Sequence, residues 1–188
     1  QFEVLRREVV PELRRRLWGG GTLRVWSAGC ASGEEPYSLA ILLEQEGLAG
    51  QASILGTDIN RSALARAAEA RYSTWSLRGK PAASDCFERQ GEHFLLYDRI
   101  RRRVAFKRLN LASDEYPSAA TGVQEMDLIL CRNVLIYFDR ETIGQVARRL
   151  FATLRKGGWL VTGPSDPPLW DSAPLQAVMT TGGVFYRR

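Results

Sequence analysis

Residues 25–40, VWSAGCASGEEPYSLA, run from an apolar strand through a glycine turn into a helix. Gly29 and Gly33 allow the backbone to turn tightly and to approach a ligand. A dinucleotide-binding turn has the pattern G-x-G-x-x-G and holds a pyrophosphate at the helix N-terminus. Here the helix opens with Glu34 and Glu35, which would repel phosphate. The turn therefore favours a ligand with a positive amine, although both glutamates would also complement the helix dipole at an exposed first turn.

The composition of the whole chain is that of an ordinary globular protein. Its 188 residues, 45% hydrophobic and 25% charged, are enough for one domain with a sizeable core. No apolar run approaches the ~20 residues of a membrane span, and no leader of the secretory type is present. The three cysteines are far apart, so neither a disulfide framework nor a metal site is predicted. We expect a soluble cytoplasmic protein without membrane insertion.

The net charge of +5 arises from clusters of arginine. These clusters lie at residues 14–16, 99–103 and 148–149. Each is compatible with binding to nucleic acid or to an acidic protein surface, and equally with a solvated face. Few aromatic residues are interleaved among the arginines, which argues against stacking on single-stranded nucleic acid.

Strand and helix patterns alternate along most of the chain, which predicts a parallel sheet. The predicted strands are 23–27, 53–57, 104–109, 126–130 and 159–162, with a terminal hairpin around Gly182 and Gly183. The predicted helices are 2–17, 34–46, 61–71 and 140–154, the last capped by residues 156–158. Residues 72–107 interrupt this order, and we interpret about 73–103 as an inserted antiparallel β-subdomain with a basic strand at 99–103. The fold class is α/β: a doubly wound, Rossmann-like sheet that ends in an antiparallel hairpin, the plan of the class I methyltransferases.

The candidate functional residues follow the strands, because ligands of open α/β sheets lie beyond the carboxyl ends. Asp58 ends the second strand, where an acid can accept hydrogen bonds from two ribose hydroxyls; alternatively, it caps the helix that begins near Arg61. A ligand with a ribose, an amine and no phosphate at the turn is S-adenosylmethionine, which fits better than NAD. The fourth strand delivers Arg132, Asn133 and Tyr137 to the place where a methyl acceptor would lie.

Five stretches together resemble the chemotaxis-receptor glutamate methyltransferases of the CheR family: RVWSAGCASGEEPYSLA, GTDIN, LNL, CRNVLIYFD and KGGWLVTGPSD. They occur in the family's order over nearly the whole chain. The resemblance implies one S-adenosylmethionine-dependent domain over residues 1–188 that esterifies receptor glutamates and leaves S-adenosylhomocysteine (EC 2.1.1.80 type). It also implies that the insertion is the family's three-stranded subdomain, which docks on the glutamate-bearing helices of the methyl-accepting receptor. A monomer that does not bind nucleic acid is expected.

The same resemblance assigns roles to individual residues. Those assigned to the cofactor are Ala28 and Gly29 beneath it, Glu35 at its amino-acid end, Asp58 at the ribose, Asn110 and Leu111 beside the adenine, and Cys131, Arg132 and Asn133 beside the methionine portion. Arg132 and Tyr137 are the implied catalytic residues, with Tyr137 near the transferable methyl group.

The chain departs from wider methyltransferase patterns in two ways. Many methyltransferases carry an acid at the end of the first strand, whereas this chain has Ser27. The CheR family itself also has a serine there. That family also places a Thr-x-Phe-Phe-Arg stretch and a helical domain before the segment that begins this chain, and we expect both to be missing.

Other readings of the function remain open. The enzyme could act on nucleic acid or an amine through its arginine clusters, although residues 132–137 lack the Asp/Asn-Pro-Pro-aromatic pattern usual for amines. It could methylate a different protein acceptor. The chain could also be a non-catalytic S-adenosylmethionine-binding or interaction module.

Overall fold

The computed structural model describes residues 1–74, 77 and 84–188. Its α-helices are α1 (Phe2–Val4), α2 (Val10–Arg16), α3 (Glu34–Gln45), α4 (Arg61–Glu69), α5 (Asp98–Arg101) and α6 (Arg140–Thr153). Its strands are β1 (Leu23–Ala28), β2 (Ala52–Asp58), β3 (Arg71–Ser73), β4 (Phe87–Gln90), β5 (His93–Leu96), β6 (Val104–Arg108), β7 (Met126–Cys131), β8 (Leu154–Thr162), β9 (Gln176–Thr180) and β10 (Gly183–Arg187). A π-helical turn (Leu5–Val9) joins α1 to α2, and a 3₁₀ turn (Leu135–Tyr137) follows β7. Across these described residues, no helix is long and apolar enough to cross a membrane.

In the described part of the chain, seven strands form one sheet in the order β6-β2-β1-β7-β8-β10-β9. The first five run parallel, whereas β9 and β10 form an antiparallel hairpin at one edge. The predicted doubly wound sheet with a closing hairpin is therefore confirmed. The strands β2 and β6 extend the sheet on one side of β1, and β7 and β8 extend it on the other side. The chain order therefore reverses between β1 and β7. Such a reversal opens a crevice at the carboxyl ends of the two strands.

The central strand β1 is buried on both faces of the sheet. Val25 packs into a cluster with α3 and the N-terminal helices, and Trp26 packs into the cluster on the α6 side. The indole Nε1 of Trp26 also donates to Oγ1 of Thr57, at 2.9 Å. A strand held on both faces in this way is typical of a parallel sheet. Its end delivers Ser27 and Ala28 to the crevice.

The N-terminal helical segment begins near the carboxyl ends of the parallel strands. Residues 2–16 are helical, close to the predicted 2–17. The side chain of Gln1 donates from Nε2 to the carbonyl of Thr162, the last residue of β8, at 2.7 Å. The start of the segment therefore lies over the carboxyl end of β8, beside the crevice.

The predicted insertion contains an antiparallel sheet in the order β3-β5-β4 within the described residues. It begins at Arg71, where β3 pairs with β5, slightly before the expected start. Residues 75–76 and 78–83 of the predicted insertion lie outside the described residues. Tyr72 of β3 donates from its hydroxyl to the carbonyl of Ser32, at 2.9 Å. The small sheet is thus tied directly to the glycine turn after β1.

The prediction of a basic strand at 99–103 is wrong, because these residues belong to α5 and to the turn that follows it. Ile100 is fully buried, which a single helical turn achieves as well as a strand does. Arg99 pairs with Glu44 of α3, with Nε 3.0 Å from Oε1, and Arg101 and Arg102 pair with Asp98. Much of the basic cluster is therefore engaged within the fold.

The helix cap predicted at 156–158 is also wrong. α6 ends at Thr153, and β8 begins at the next residue. Gly157 adopts a left-handed φ of +74° inside β8, and its N–H donates to the carbonyl of Arg188 at 2.7 Å. A Cβ atom at Gly158 would lie 2.8 Å from the carbonyl oxygen of Met126. Gly157 therefore allows an irregularity within β8, and Gly158 allows two backbone segments to approach closely. Neither glycine ends a helix.

We predict that Gly33→Ala destabilises the fold more than Gly47→Ala. Both glycines have a left-handed φ, +90° and +69°, so each alanine incurs about 1–2 kcal/mol of backbone strain. A Cβ atom at Gly33 would also lie 2.9 Å from Cβ of Ala67, whereas a Cβ atom at Gly47 meets no atom within 4 Å. The crowding adds about 1–3 kcal/mol for Gly33→Ala. Urea unfolding measures both, and equal losses would contradict the packing described here.

Candidate functional site

The predicted site residues gather where β1, β2, β6 and β7 end. The glycine turn after β1 folds over the end of β2, because the N–H groups of Gly29 and Cys30 both donate to the carbonyl of Thr57, at 2.8 and 2.9 Å. Ala28, immediately before the turn, is fully buried. We refer to the backbone of this turn as the floor of the crevice between the ends of β1 and β7.

Gly29 is the point of closest approach between the two central strand ends. Its φ is +77°, and a Cβ atom there would lie 2.4 Å from Cγ2 of Val134 in the segment after β7. Any side chain at this position would push the two segments apart. The glycine therefore lets the floor and the neighbouring wall of the crevice meet directly.

Glu35 turns inward from the first turn of α3 and joins β1 to β7. Its Oε1 accepts a hydrogen bond from the hydroxyl of Ser27 at 2.7 Å, and its Oε2 lies 3.0 Å from Nη1 of Arg132. The exposed fractions of the Glu35 and Arg132 side chains are only 16% and 26%. Arg132 also donates from Nε to Oε1 of Gln1. Glu35 is therefore a half-buried ion-pair partner and not an exposed residue that merely complements the helix dipole.

Burial raises the pKa of the Glu35 carboxyl above its ordinary value of 4.5. The hydrogen bond from Ser27 and the charge of Arg132 oppose this shift, because both favour the ionised form. Desolvation is the larger effect. A cation that approaches this carboxylate would lower its pKa again, because the positive charge favours the ionised form.

Asp58 is linked to the glycine turn and does not cap the next helix. Its Oδ2 accepts from the N–H of Ala31 and its Oδ1 from the N–H of Asn60, both at 2.8 Å. The helix α4 is capped instead by Asn60, whose side chain accepts from the N–H groups of Ser62 and Ala63. The carboxylate of Asp58 is half-buried at the end of β2. Each of its oxygens can still accept a further hydrogen bond.

Asn110 and Leu111 follow the end of β6 and lie next to Asp58 through the backbone. The N–H of Leu109 donates to the carbonyl of Asp58 at 3.1 Å. Asn110 is half-buried, and its Oδ1 accepts from the N–H of Ala112. Leu111 is buried, and its carbonyl accepts from the Tyr116 hydroxyl at 2.8 Å. These residues therefore line the side of the crevice that continues from Asp58.

The predicted residues after β7 differ strongly in exposure. The Cys131 side chain is fully buried, and burial raises the pKa of its thiol well above the ordinary value. The whole residue is therefore shielded from solvent at the end of β7. Asn133 is exposed with a left-handed φ of +58°, and Tyr137 is 80% exposed. Tyr137 is thus open to solvent, whereas Arg132 is held within the fold by Glu35 and Gln1.

Sequence reasoning assigned no role to Asp166, which follows β8. Its carboxylate accepts hydrogen bonds from the backbone N–H groups of Asn133, Val134, Leu135 and Gly163. Two signals in the sequence could have found it: Asp166 closes the turn-forming stretch Gly-Pro-Ser-Asp after a predicted strand, and it is the last residue of the family-like stretch KGGWLVTGPSD. Ser27 and Gln1 complete the Glu35–Arg132 cluster. Ser27 stood out only as the end of the first predicted strand, and Gln1 carried no signal.

We predict that wild type loses stability relative to Glu35→Gln as pH rises above about 4.5. A raised pKa means that the folded protein binds a proton at Glu35 more readily than the unfolded chain does. The stability linked to this group is therefore complete below the unfolded pKa and is lost as pH rises through the folded one. Urea unfolding of both proteins between about pH 4.5 and 7 measures the difference. A relative gain by wild type would show that Arg132 and Ser27 outweigh burial.

Comparison with known proteins agrees with this geometry. The family described as CheR methyltransferase, SAM binding domain, matches residues 1–176. Chemotaxis protein methyltransferase 1 of Pseudomonas aeruginosa is 34% identical over 99% of this chain and 69% of its own length. A chemotaxis protein methyltransferase of Listeria innocua is 36% identical over 88% of this chain and 61% of its own. The chain thus spans about two thirds of the length of these relatives.

A solved structure supports the fold alone. The rRNA methyltransferase aviRa from Streptomyces viridochromogenes matches with a TM-score of 0.57 and 17% identity, covering 97% of this chain and 82% of that chain. Its acceptor carries no information about this protein at such low identity. The family match and the identity to the curated relatives decide the membership, and the chain belongs to the CheR methyltransferase family as a SAM (S-adenosylmethionine) binding domain.

Proposed function

We propose that the protein transfers a methyl group from S-adenosylmethionine to glutamate carboxylates of methyl-accepting chemotaxis receptors in the cytoplasm. The products are glutamate methyl esters and S-adenosylhomocysteine. The observation that carries the proposal is the pair of carboxylates, Glu35 and Asp58, on either side of the glycine turn. The names of the chemotaxis relatives support the choice of acceptor. We further propose that residues 1–188 form one methyltransferase domain with the insertion as a part of it.

The two carboxylates fit the ribose and the ammonium group of the cofactor. Asp58 has free acceptor positions for two ribose hydroxyls, and Glu35 offers a carboxylate to an ammonium group. Asn110 and Leu111 would flank the adenine, while Ala28 and Gly29 would pass beneath the ligand. The backbone of Cys131 and Asn133, with the side chain of Arg132, would border the methionine portion. A pyrophosphate would instead meet Glu34 and Glu35 at the start of α3, which argues against a dinucleotide.

The chemistry requires no general base. Bound S-adenosylmethionine supplies a methyl group on a positively charged sulfur, which an acceptor oxygen displaces in line. A glutamate with a pKa of ~4.3 is already ionised at neutral pH, so no proton must be removed. The chain's single histidine, His93, lies exposed on β5 of the insertion and is not needed. Catalysis then consists of alignment and of removing water from the acceptor carboxylate.

Two residues of the segment after β7 are suited to these tasks. Arg132 presents a positive charge within the crevice, where it can help to hold an anionic acceptor group in place. Tyr137, which is open to solvent, presents a hydroxyl that can donate a hydrogen bond to the acceptor as it enters. Both would act by orientation, because neither has to take up a proton.

The direct test is methyl transfer by the full-length protein to a receptor fragment that contains the glutamate-bearing helices. We expect alkali-labile methyl esters on the fragment, and none on a fragment whose acceptor glutamates are replaced by glutamine. Cofactor binding without any ester would identify a non-catalytic binding module. Ester formation on the glutamine-substituted fragment would show that the enzyme methylates other carboxylates than the proposed ones.

We predict that Asp58→Ala weakens S-adenosylhomocysteine binding by about 1–3 kcal/mol, because hydrogen bonds to the ribose are lost. The matched control is Asp98→Ala, an exposed aspartate on α5, which should bind as wild type does. Isothermal titration calorimetry measures both affinities, and NAD should not bind to any of the proteins. Equal affinity of the two variants would remove Asp58 from the site.

We predict that Tyr137→Phe lowers kcat by about tenfold, which corresponds to ~1.4 kcal/mol of transition-state stabilisation. Affinity for the cofactor should change much less, since Tyr137 is open to solvent. Ile136→Val, an exposed neighbour in the same turn, controls for changes in local packing. Wild-type turnover by the phenylalanine variant would show that the hydroxyl is dispensable.

A further inference from the structure

Asp166 is the hub of the hydrogen bonds that shape the segment after β7. Its Oδ2 accepts from the N–H groups of Asn133 at 2.6 Å and Gly163 at 2.7 Å. Its Oδ1 accepts from the N–H groups of Val134 at 3.1 Å and Leu135 at 2.9 Å. Three consecutive backbone N–H groups thus converge on one carboxylate, as they do in an anion-binding nest. Hydrogen bonds to an ionised acceptor are about twice as strong as neutral ones.

The turn that these bonds hold contains a residue in the left-handed conformation. Asn133 has a φ of +58°, in the left-handed region where asparagine is among the few residues other than glycine that are common. A Cβ atom at Gly163 would lie 2.8 Å from the Asn133 nitrogen, so the turns after β7 and β8 are in direct contact. Asp166 and Gly163 together therefore hold this turn against the end of β8.

The stabilised turn lies between the two proposed catalytic residues. Arg132 immediately precedes it, and Tyr137 donates its N–H to the carbonyl of Val134 at 3.2 Å. Val134 also contacts the glycine turn, within 2.4 Å of where a Cβ atom of Gly29 would be. A shift of the turn would therefore change the wall of the crevice, the direction of Arg132 and the position of Tyr137 at once.

We propose that Asp166 is a positioning residue for methyl transfer, acting through the segment Asn133–Leu135 on Arg132 and Tyr137. It contacts neither cofactor nor acceptor itself. This inference rests on the proposed function for its catalytic consequence, but the hydrogen bonds on which it depends can be tested without any acceptor.

The test compares Asp166→Asn and Asp166→Glu with wild type in the full-length protein. An asparagine has one carbonyl oxygen, so two of the four N–H groups would face an amide that cannot accept. We expect kcat to fall about 10- to 100-fold, because small misplacements of catalytic groups have effects of this size. KM for the cofactor should change by a smaller factor than kcat does, since Asp58 and Gly29 are unaltered. Asp166→Glu, which restores the carboxylate, should recover part of kcat.

Amide hydrogen exchange provides a second readout that does not depend on activity. In Asp166→Asn the N–H groups of residues 133–135 should exchange about tenfold faster than in wild type. The N–H of Thr142, held by the separate carboxylate of Asp139 at 2.7 Å, should be unaffected. Unchanged exchange at residues 133–135 would overturn the inference.

A destabilised control separates positioning from a general loss of stability. Leu154→Ala truncates a fully buried side chain at the opposite end of the sheet, where β8 begins. It should lower Tm while leaving kcat per folded molecule as in wild type. Wild-type kcat in Asp166→Asn, or an equal loss of kcat in Leu154→Ala, would contradict a positioning role. If wild type itself forms no receptor ester, the proposed function fails, and the exchange result still decides whether Asp166 holds the segment.

Discussion

The half-buried carboxylate of Glu35 joins the parts of the chain that build the crevice. It links α3 to β1 through Ser27 and to β7 through Arg132, and Arg132 in turn reaches Gln1 at the start of the N-terminal segment. An isolated carboxylate in so little water would be costly, so these partners are required for the residue to remain charged. The same charge makes the crevice suited to an ammonium group. The arrangement of these segments and the recognition of a cation thus depend on one ion pair.

Steric constraints determine how closely the floor and the wall of the crevice approach each other. Gly29 allows Val134 to lie against the turn, and Gly163 allows Asn133 to lie against the end of β8. Both contacts involve the segment after β7, which leaves Arg132 held within the fold and Tyr137 open to solvent. A rigid wall of this kind suits a reaction that needs alignment and no proton transfer. The absence of a histidine from the crevice is consistent with such a reaction.

The sequence predicted the central part of the fold because its signals are local. An apolar run that enters a glycine turn identifies β1 and α3, and an aspartate directly after an apolar run identifies the end of β2. The two wrong elements have different causes, one a contact distant in sequence and the other a helix of a single turn. Gly157 adopts its conformation inside β8 by pairing with Arg188, and residues 98–101 form a helix too short to show helical periodicity. Asp166 was missed because three of its four partners precede it by about 30 residues.

The central claim is that Glu35 recognises the ammonium group and Asp58 the ribose of one ligand that lies across the glycine turn. A crystal structure of the protein with S-adenosylhomocysteine tests it most directly. The account predicts the ligand's ammonium group within hydrogen-bonding distance of Glu35 and both ribose hydroxyls on the carboxylate of Asp58. A ligand bound elsewhere, or bound with its ammonium group away from Glu35 while the pair with Arg132 stays as it is, would contradict the account.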